Sequence, residues 1–420
     1  MSVLILHRGP LEASPYHEWL ADYEGEVLLL ACQAQLDLFA ERLPLGHPFY
    51  AHLEAFADFD RPGPVEDRAL ELAARHGVTH LIAVHELVMD RAARLRELLG
   101  LPGQGVESVL PFRDKVVMKE QAIAAGVEVA PYTAKVTTAL ARDFAGEHGF
   151  PLVLKPRDGA GSTGLRMIAG EQDLAEVLAE LPAEAGAAGD LLLEAYVPGR
   201  MCHVDGLVVD GRVVLAWPSQ YQYALASFRD DPGGRIDLTL DRDDPLSGRL
   251  LELAERMLAH LPTPVDTAFH AEVFHTPDGR LVLCEIACRT GGAQIRQVIR
   301  TLFGVDISEY WVRAQLGLPL PALAGGTRLE PRSMAGQWLL MKRPGEVRRV
   351  PSGPAPEQDW VEHFQVFVRP GQVMREAEFS SDFLAVAVAS APTRALVEER
   401  LRALGEWFEE RTEIAAPQPV

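Results

Sequence analysis

The sequence predicts a multidomain protein of the α/β and α+β classes, and three stretches of the chain indicate this. Residues 1 to about 110 alternate short apolar strands with helices, which is typical of a parallel sheet covered by helices. The middle of the chain carries strand-and-turn segments around a glycine-rich loop. From about residue 326, strands separated by turns precede one amphipathic helix, as in a small antiparallel α+β domain. We therefore expect domains at 1–110, 111–325 and 326–420.

Length, charge and cysteine content narrow the class of protein. A chain of 420 residues exceeds one ordinary hydrophobic core. Its formal net charge of −20 disfavours binding of nucleic acid or an anionic membrane through bulk charge. The four cysteines form no CxxC pair, and the sequence shows neither a signal-peptide pattern nor a membrane-length apolar run. These features predict a soluble cytoplasmic protein with no nucleic-acid or membrane partner.

The N-terminal domain is predicted to be a small parallel sheet. Its strands are expected at Val3–Leu6, Val27–Leu30 and Thr79–Val84, with helices between them. No GxGxxG sequence follows the first strand, which disfavours a dinucleotide dehydrogenase. Glu86 lies just past the third strand, where α/β sheets place ligand groups, but a solvated helix cap is the simpler interpretation.

The stretch Phe150–Gly164, FPLVLKPRDGAGSTG, carries the clearest chemical signal. A short apolar strand ends in Lys155, and a run of small residues with three glycines follows. A lysine supplies a point charge and glycines let backbone N–H groups approach, so this pattern suits phosphate binding. It is not a Walker A loop, because the lysine precedes the glycines. A plain hairpin with a surface lysine is the alternative.

Lysine is rare in this chain, which suggests that individual lysines have roles that arginine cannot fill. The chain has only five lysines, and arginine supplies the other basic residues. Lys115 opens a predicted helix, where the helix dipole disfavours a cation. A nearby bound anion would explain that position; the alternative is an exposed lysine beside Asp114.

Two glutamates lie on a predicted hairpin in the second domain. Counting outward from the turn at Pro277-Asp278, Glu272 and Glu285 come roughly opposite each other on adjacent strands. Facing carboxylates repel unless a cation lies between them, and a divalent ion with oxygen ligands meets that need. The alternative is that one glutamate faces water.

Upstream of this hairpin, the segment Gln220–Asp244 has few apolar residues. It is predicted to be a mobile or substrate-contacting loop.

The order of these signals resembles the ATP-grasp superfamily, and in particular its carboxylate–amine ligases with a biotin-carboxylase-like or L-amino acid ligase-like layout. The motifs that carry the resemblance are DKVVMKE, LVLKPRDGAGSTG, LLLEAYVPG and AEVF…LVLCEIACRTGG. The resemblance covers nearly the whole chain. It implies an ATP-grasp fold with a Rossmann-like N-terminal domain, and a lid subdomain at about 130–197.

The resemblance also implies a role for individual residues. The phosphates of ATP would be held by Lys115, Lys155 and a closing loop that includes Gly161, Ser162 and Thr163. Glu194 would meet the adenine amino group, with the backbone of Tyr196 and Val197 as the hinge. Glu272 and Glu285 would hold Mg²⁺. Lys155 and Arg289 would be catalytic, with Arg289 contacting the transferring phosphate.

Two positions depart from the family pattern. Met201 stands where the family often has an acidic ribose ligand, which leaves His203 or Asp205 as candidates for that contact. Ala287 stands where the family often has a metal-binding asparagine, which weakens a second metal site.

The resemblance implies an ATP-dependent ligase that joins a carboxylate to an amine through an acyl-phosphate, with an amino acid as substrate. The cofactors would be ATP and Mg²⁺, with Mn²⁺ as an alternative metal, and a homodimer is expected. Two other functions remain open: a carboxylase that uses bicarbonate, and a non-catalytic ATP-binding regulatory protein.

Overall fold

The N-terminal part of the chain forms a parallel sheet with helices packed against it. The computed structural model describes residues 1–180, 190–223, 233–377 and 381–416. The elements of this part are β1 (Ser2–His7), α1 (Tyr16–Trp19), β2 (Glu26–Cys32), α2 (Gln33–Leu38), β3 (Tyr50–Phe56), α3 (Pro64–His76), β4 (Val78–Ile82) and α4 (Met89–Leu99). The strands pair in parallel in the order β3-β2-β1-β4. Strand β1 is buried along its whole length, because an all-parallel sheet is covered on both faces.

A second, smaller sheet carries the glycine-rich loop. It follows two helices, α5 (Val106–Arg113) and α6 (Lys115–Ala124). Its elements are β5 (Tyr132–Thr133), α7 (Thr138–His148), β6 (Leu152–Pro156), β7 (Arg166–Ile168), α8 (Glu171–Glu180) and β8 (Leu191–Ala195). The strands pair in antiparallel order β5-β8-β6-β7, and we call this unit the lid sheet. The glycine-rich loop therefore joins two neighbouring strands, β6 and β7.

A large antiparallel sheet forms the centre of the molecule, and we call it the central sheet. Its strands run in the order β13-β12-β9-β10-β11-β14-β18-β16. Up to residue 315 the elements are β9 (Arg200–Val209), β10 (Arg212–Tyr221), β11 (Gly234–Thr239), α9 (Pro245–His260), β12 (Thr267–His275), β13 (Leu281–Ala287), α10 (Ile295–Phe303) and α11 (Ile307–Gln315). The rest are β14 (Met334–Met341), β15 (Gly345–Arg349), β16 (Val361–Val366), β17 (Val373–Met374), β18 (Phe383–Ala391), α12 (Arg394–Arg411) and β19 (Glu413–Ala415).

The central sheet continues across the predicted domain boundary near residue 325. Strand β14 pairs with β11 on one side and with β18 on the other, so C-terminal strands extend a sheet begun by the middle of the chain. Strands β15, β17 and β19 form a separate small sheet. The three-domain division stays a prediction, and the backbone hydrogen bonding does not break where the second boundary was placed.

One sequence prediction is wrong in part. Gly234–Thr239 was expected to belong to a mobile or substrate-contacting loop, but it forms β11 inside the central sheet. The polar residues that suggested a loop are buried there, because strands on both sides complete the backbone pairing. Residues 224–232 of the same predicted loop lie outside the described residues. Within the described parts of the chain, no helix has both the length and the apolar character that a membrane span requires.

Candidate active site

A cavity of about 570 Å³ lies between the lid sheet and the central sheet. The predicted site residues line this cavity except the two candidate ribose contacts, His203 and Asp205. The lining comes from both sheets, from α6 and from the segment after β13. The fold therefore brings together predicted site residues that are up to about 170 positions apart, from Lys115 to Arg289, and lining residues as far along the chain as Phe383. The cavity is of the size that small-molecule sites have.

The glycine-rich loop has the backbone conformation that its composition suggests. Gly161 and Gly164 have φ of +60° and +74°, in the region that favours glycine. A Cβ on Gly164 would also lie 2.9 Å from Cγ of Pro156, so this position has no room for a side chain. Gly161, Ser162 and Thr163 line the cavity, which places backbone and hydroxyl donors at its edge.

Two buried lysines hold the predicted adenine ligand Glu194. Nζ of Lys155 lies 2.8 Å from Oε2 of Glu194, and Nζ of Lys119 lies 2.7 Å from Oε1. Burial would raise the pKa of Glu194, but the two lysines hold it below its ordinary value. Sequence reasoning missed Lys119, which is fully buried. Its position one helical turn after Lys115, in a chain with five lysines, was the available signal.

Lys115 has an anionic partner, as its unusual place at a helix start suggested. The carboxylate of Asp114 caps α6 by accepting from the backbone N–H groups of Val116 and Val117. Nζ of Lys115 donates to the carbonyl of Gly159 at 2.6 Å and lies 3.1 Å from Oε2 of Glu285. The lysine thus links the glycine-rich loop to the predicted metal site.

The two predicted metal ligands face each other. Glu272 and Glu285 are direct partners in the β12–β13 pairing, and both line the cavity. The register shifts at this point, because Val273 pairs with Leu283 and leaves Cys284 as an extra residue. Such a bulge re-aims side chains, and Cys284 also lines the cavity.

The donor set fits a hard divalent cation. Both side chains offer carboxylate oxygens, which Mg²⁺ and Mn²⁺ prefer. Burial would raise the pKa of Glu285, but the charges of Lys115, Lys155 and Arg289 lower it, so the carboxylate is ionised and able to bind a metal. Ala287 adds no side-chain oxygen at the end of β13.

His203, the candidate ribose contact, does not reach the cavity. Its side chain is 1% exposed and lies between Asp205, 2.5 Å from Nδ1, and Asp237, 3.0 Å from Nε2. The other oxygen of Asp205 lies 2.8 Å from Nδ1 of His270. His203 therefore uses both ring nitrogens in hydrogen bonds to aspartates, and His270 uses Nδ1, so these side chains form a buried hydrogen-bonded network. We correct the sequence prediction accordingly.

Glu86 differs from its expected solvated position. It is 7% exposed, with Oε1 2.7 Å from Nη1 of Arg113 and Oε2 2.8 Å from Nε of Arg289. Burial alone would raise the pKa of Glu86, but the two arginines hold it below its ordinary value. Its place at the carboxyl end of a parallel strand, where α/β sheets collect functional groups, was noted in the sequence, but the simpler interpretation of a solvated cap was preferred.

Part of the cavity lining falls within a segment of the chain that matches a known ATP-binding family. The family described as the ATP-binding domain of the carbamoyl-phosphate synthase L chain matches residues 114–210. The fold of the whole chain is similar to the crystal structure of L-amino acid ligase from Bacillus licheniformis, with a TM-score of 0.76, 16% identity and 99% of both chains covered. The family match and the structural similarity together confirm the predicted ATP-grasp fold class.

Two further comparisons are informative. The chain is 26% identical over 238 residues to the L-arginine-specific L-amino acid ligase of Bacillus subtilis, a match that covers 55% of this chain and 56% of that protein. The match thus spans just over half of the relative's length. The fold is also similar to biotin carboxylase from Campylobacter jejuni, with a TM-score of 0.70 and 17% identity over 99% of this chain and 92% of that one.

Proposed function

We propose that the protein is an ADP-forming ligase that joins a carboxylate to an amine through an acyl-phosphate, with an amino acid as substrate. The observation that carries the proposal is the arrangement in the cavity, where Lys115 and Lys155 lie beside the facing carboxylates Glu272 and Glu285. Such a set suits a nucleotide's phosphates together with a divalent metal. The partial match to an L-amino acid ligase supports this choice within the superfamily.

The first step would activate the carboxylate substrate. A carboxylate oxygen attacks the γ-phosphorus of ATP, the bond to the β–γ bridging oxygen breaks, and ADP and an acyl-phosphate form. Lys115 and Lys155 would hold the phosphates in place, and Arg289 would stabilise charge on the transferring group. Mg²⁺ held by Glu272 and Glu285 would supply further neutralisation of phosphate charge. The glycine-rich loop would exclude water that otherwise hydrolyses the acyl-phosphate.

The second step would form the amide bond. The amine attacks the acyl carbon, the carbon–oxygen bond to phosphate breaks, and inorganic phosphate leaves and takes up the proton that the amine loses. Arg289 and Lys155 would stabilise the negative charge of the tetrahedral intermediate. Both steps depend mainly on positioning and electrostatics, which a rigid cavity with buried cations supplies.

The proposal is tested by release of ADP and phosphate from MgATP with amino acids offered singly and in pairs. We expect release that requires a pair, together with a dipeptide product detected by mass spectrometry. Glu285→Ala should lower the rate by on the order of 10²–10³. The matched control is Glu120→Ala on the exposed side of α6, which should behave as wild type.

Mn²⁺ in place of Mg²⁺ should support turnover in the same assay, because both proposed metal ligands, Glu272 and Glu285, offer oxygen atoms.

Other results would point to the alternative functions. Turnover that depends on bicarbonate would identify a carboxylase, which shares this fold. Binding of MgATP with no turnover on any pair, unaffected by Glu285→Ala, would identify a non-catalytic nucleotide-binding protein. The expected homodimer is checked by light scattering of the purified chain.

A further inference from the structure

Glu86 connects the N-terminal sheet to the cavity through two arginines. It opens a short 3₁₀ turn, Glu86–Val88, after β4, and each of its carboxylate oxygens contacts a different arginine. Arg113 ends α5, and Arg289 follows β13. A carboxylate that is 7% exposed and shared by two guanidinium groups holds both in fixed positions, because removal of either contact would leave a buried charge without its partner.

The hydrogen bonds of Arg289 show what Glu86 does to it. Nε donates to Glu86, and Nη1 donates to the carbonyl of Thr290 at 3.0 Å. Within the described residues, Nη2 makes no hydrogen bond, although Arg289 lines the cavity. Because a guanidinium group is planar, fixing Nε and Nη1 also fixes the direction of Nη2. Glu86 thus leaves one oriented donor edge of Arg289 for a ligand.

The second arginine reaches the base of the glycine-rich loop. Nη2 of Arg113 donates to the carbonyl of Asp158 at 2.9 Å, while its Nε lies 3.3 Å from Oδ2 of Asp90. Glu86 therefore contacts the cavity residue Arg289 directly through a hydrogen bond. It reaches the loop predicted to cover the phosphates through two successive hydrogen bonds, by way of Arg113. Asp90 contacts only Arg113 of these two arginines, which makes it a natural control.

We propose that Glu86 is a positioning residue that orients Arg289 toward the phosphoryl group in transfer, and so makes the N-terminal sheet part of the catalytic apparatus. The proposal rests on the proposed function, because it assumes that Arg289 meets that group. In the proposed arrangement Glu86 touches neither substrate nor nucleotide. Its effect should therefore appear when the transferring group is present and be absent when only ADP is bound.

The test compares two ligands of the full-length protein by isothermal titration calorimetry. MgADP occupies the nucleotide site alone, and MgADP with aluminium fluoride mimics the phosphoryl group in transfer. We expect Glu86→Gln to weaken binding of the aluminium fluoride complex by about 10- to 100-fold, because a small misplacement of a positioned group is costly in the transition state. Binding of MgADP alone should change by less than about threefold. The control Asp90→Asn should leave both affinities near wild type.

A double-mutant cycle separates positioning from packing. In an Arg289→Gln background, adding Glu86→Gln should cause no further loss, because the group that Glu86 orients is gone. The double variant removes the negative charge of Glu86 and the positive charge of Arg289 together. It therefore keeps the test available if Glu86→Gln alone does not fold. Equal loss for both ligands, or additive losses in the cycle, would overturn the proposal. Failure of the wild type to bind MgADP would instead overturn the proposed function.

Discussion

At the scale of single residues, His7 is a buried histidine with both ring nitrogens bonded. Its Nδ1 lies 3.1 Å from the hydroxyl of Tyr16, and its Nε2 lies 3.0 Å from the carbonyl of Gly9. A neutral ring satisfies both contacts, with Nε2–H donating to the carbonyl and Nδ1 accepting from the hydroxyl. Burial lowers the pKa of His7 to about 4, although the bond to Gly9 acts in the opposite direction. The histidine is therefore neutral in the folded protein near pH 6.

This pKa predicts loss of stability in mild acid. Because the folded-state pKa is below the unfolded value, the unfolded chain binds the proton first as pH falls. The contribution of His7 is complete above about pH 6.5 and is lost between about pH 6.5 and 4. We expect the free energy of unfolding in urea to fall by about 2 kcal/mol from His7 between pH 7.5 and 5.

The variant His7→Gln should flatten this part of the pH profile, while the exposed His260→Gln should keep it. An unchanged slope in His7→Gln would mean that other groups, such as the half-buried His85, account for the acid sensitivity.

The resemblance to a known superfamily, together with residue types and spacing, named most of the residues that line the cavity. The pattern around Lys155 alone also allowed a plain hairpin, and the order of the other motifs favoured a phosphate site. The contacts of Glu86 and Lys119 could not be predicted in the same way, because they depend on burial by segments that are distant in the sequence. His203 was misplaced for the same reason, since its partner Asp237 lies on a strand that was taken for a loop.

At the scale of elements, the loop between β6 and β7 depends on a glycine. Gly164→Ala would place a Cβ 2.9 Å from the rigid ring of Pro156, in a residue with φ of +74°. The expected cost in the bound loop conformation is roughly 1–2 kcal/mol, so the affinity for MgATP should fall by about tenfold or slightly more.

Gly146→Ala, within α7 of the same unit, is the matched control. A Cβ at Gly146 meets nothing within 4 Å, so this variant should bind MgATP as wild type and be slightly more stable. Equal affinities in the two variants, measured by equilibrium binding, would show that the loop does not need this conformation.

Elements were predicted well where one pattern dominated. The buried strands β1 and β2 are continuous apolar runs, and the pairing of Glu272 with Glu285 followed from counting back from a turn. Strand β3 was not predicted, because it is a half-exposed edge strand with mixed composition. Strand β11 was mistaken for a loop, because its buried arginine and aspartate are stabilised by tertiary partners that local sequence does not reveal.

At the scale of the whole molecule, the central sheet makes the C-terminal part inseparable from the middle of the chain. Truncation after residue 325 would remove β14 and leave the backbone of β11 as an unpaired edge. It would also remove Gln337, which donates to the buried carboxylate of Asp237 at 2.8 Å. We expect this truncated chain to aggregate, because an exposed strand edge beside an uncovered core is a template for association.

Truncation after Arg411 is the control. It removes β19, which lies at the edge of the small sheet, and should leave a monodisperse protein that binds nucleotide. Size-exclusion chromatography of the two truncated chains compares their aggregation. A monodisperse 1–325 chain would contradict the prediction and establish an independent domain boundary.

The ion pairs of the cavity imply a thermodynamic linkage between nucleotide and metal. Glu285 is paired with Lys115, and Glu194 is paired with Lys119 and Lys155, so the ligand-free protein supplies its own counter-ions. In the proposed function, a phosphate that draws Lys115 away would leave the half-buried Glu285 without this counter-ion, whereas a metal at Glu285 would release Lys115. Each ligand therefore removes the competitor of the other, and the two binding free energies are coupled in both directions. With the roles proposed above, we expect the cavity to bind the metal–nucleotide complex more tightly than free nucleotide, even though both share the same phosphate groups.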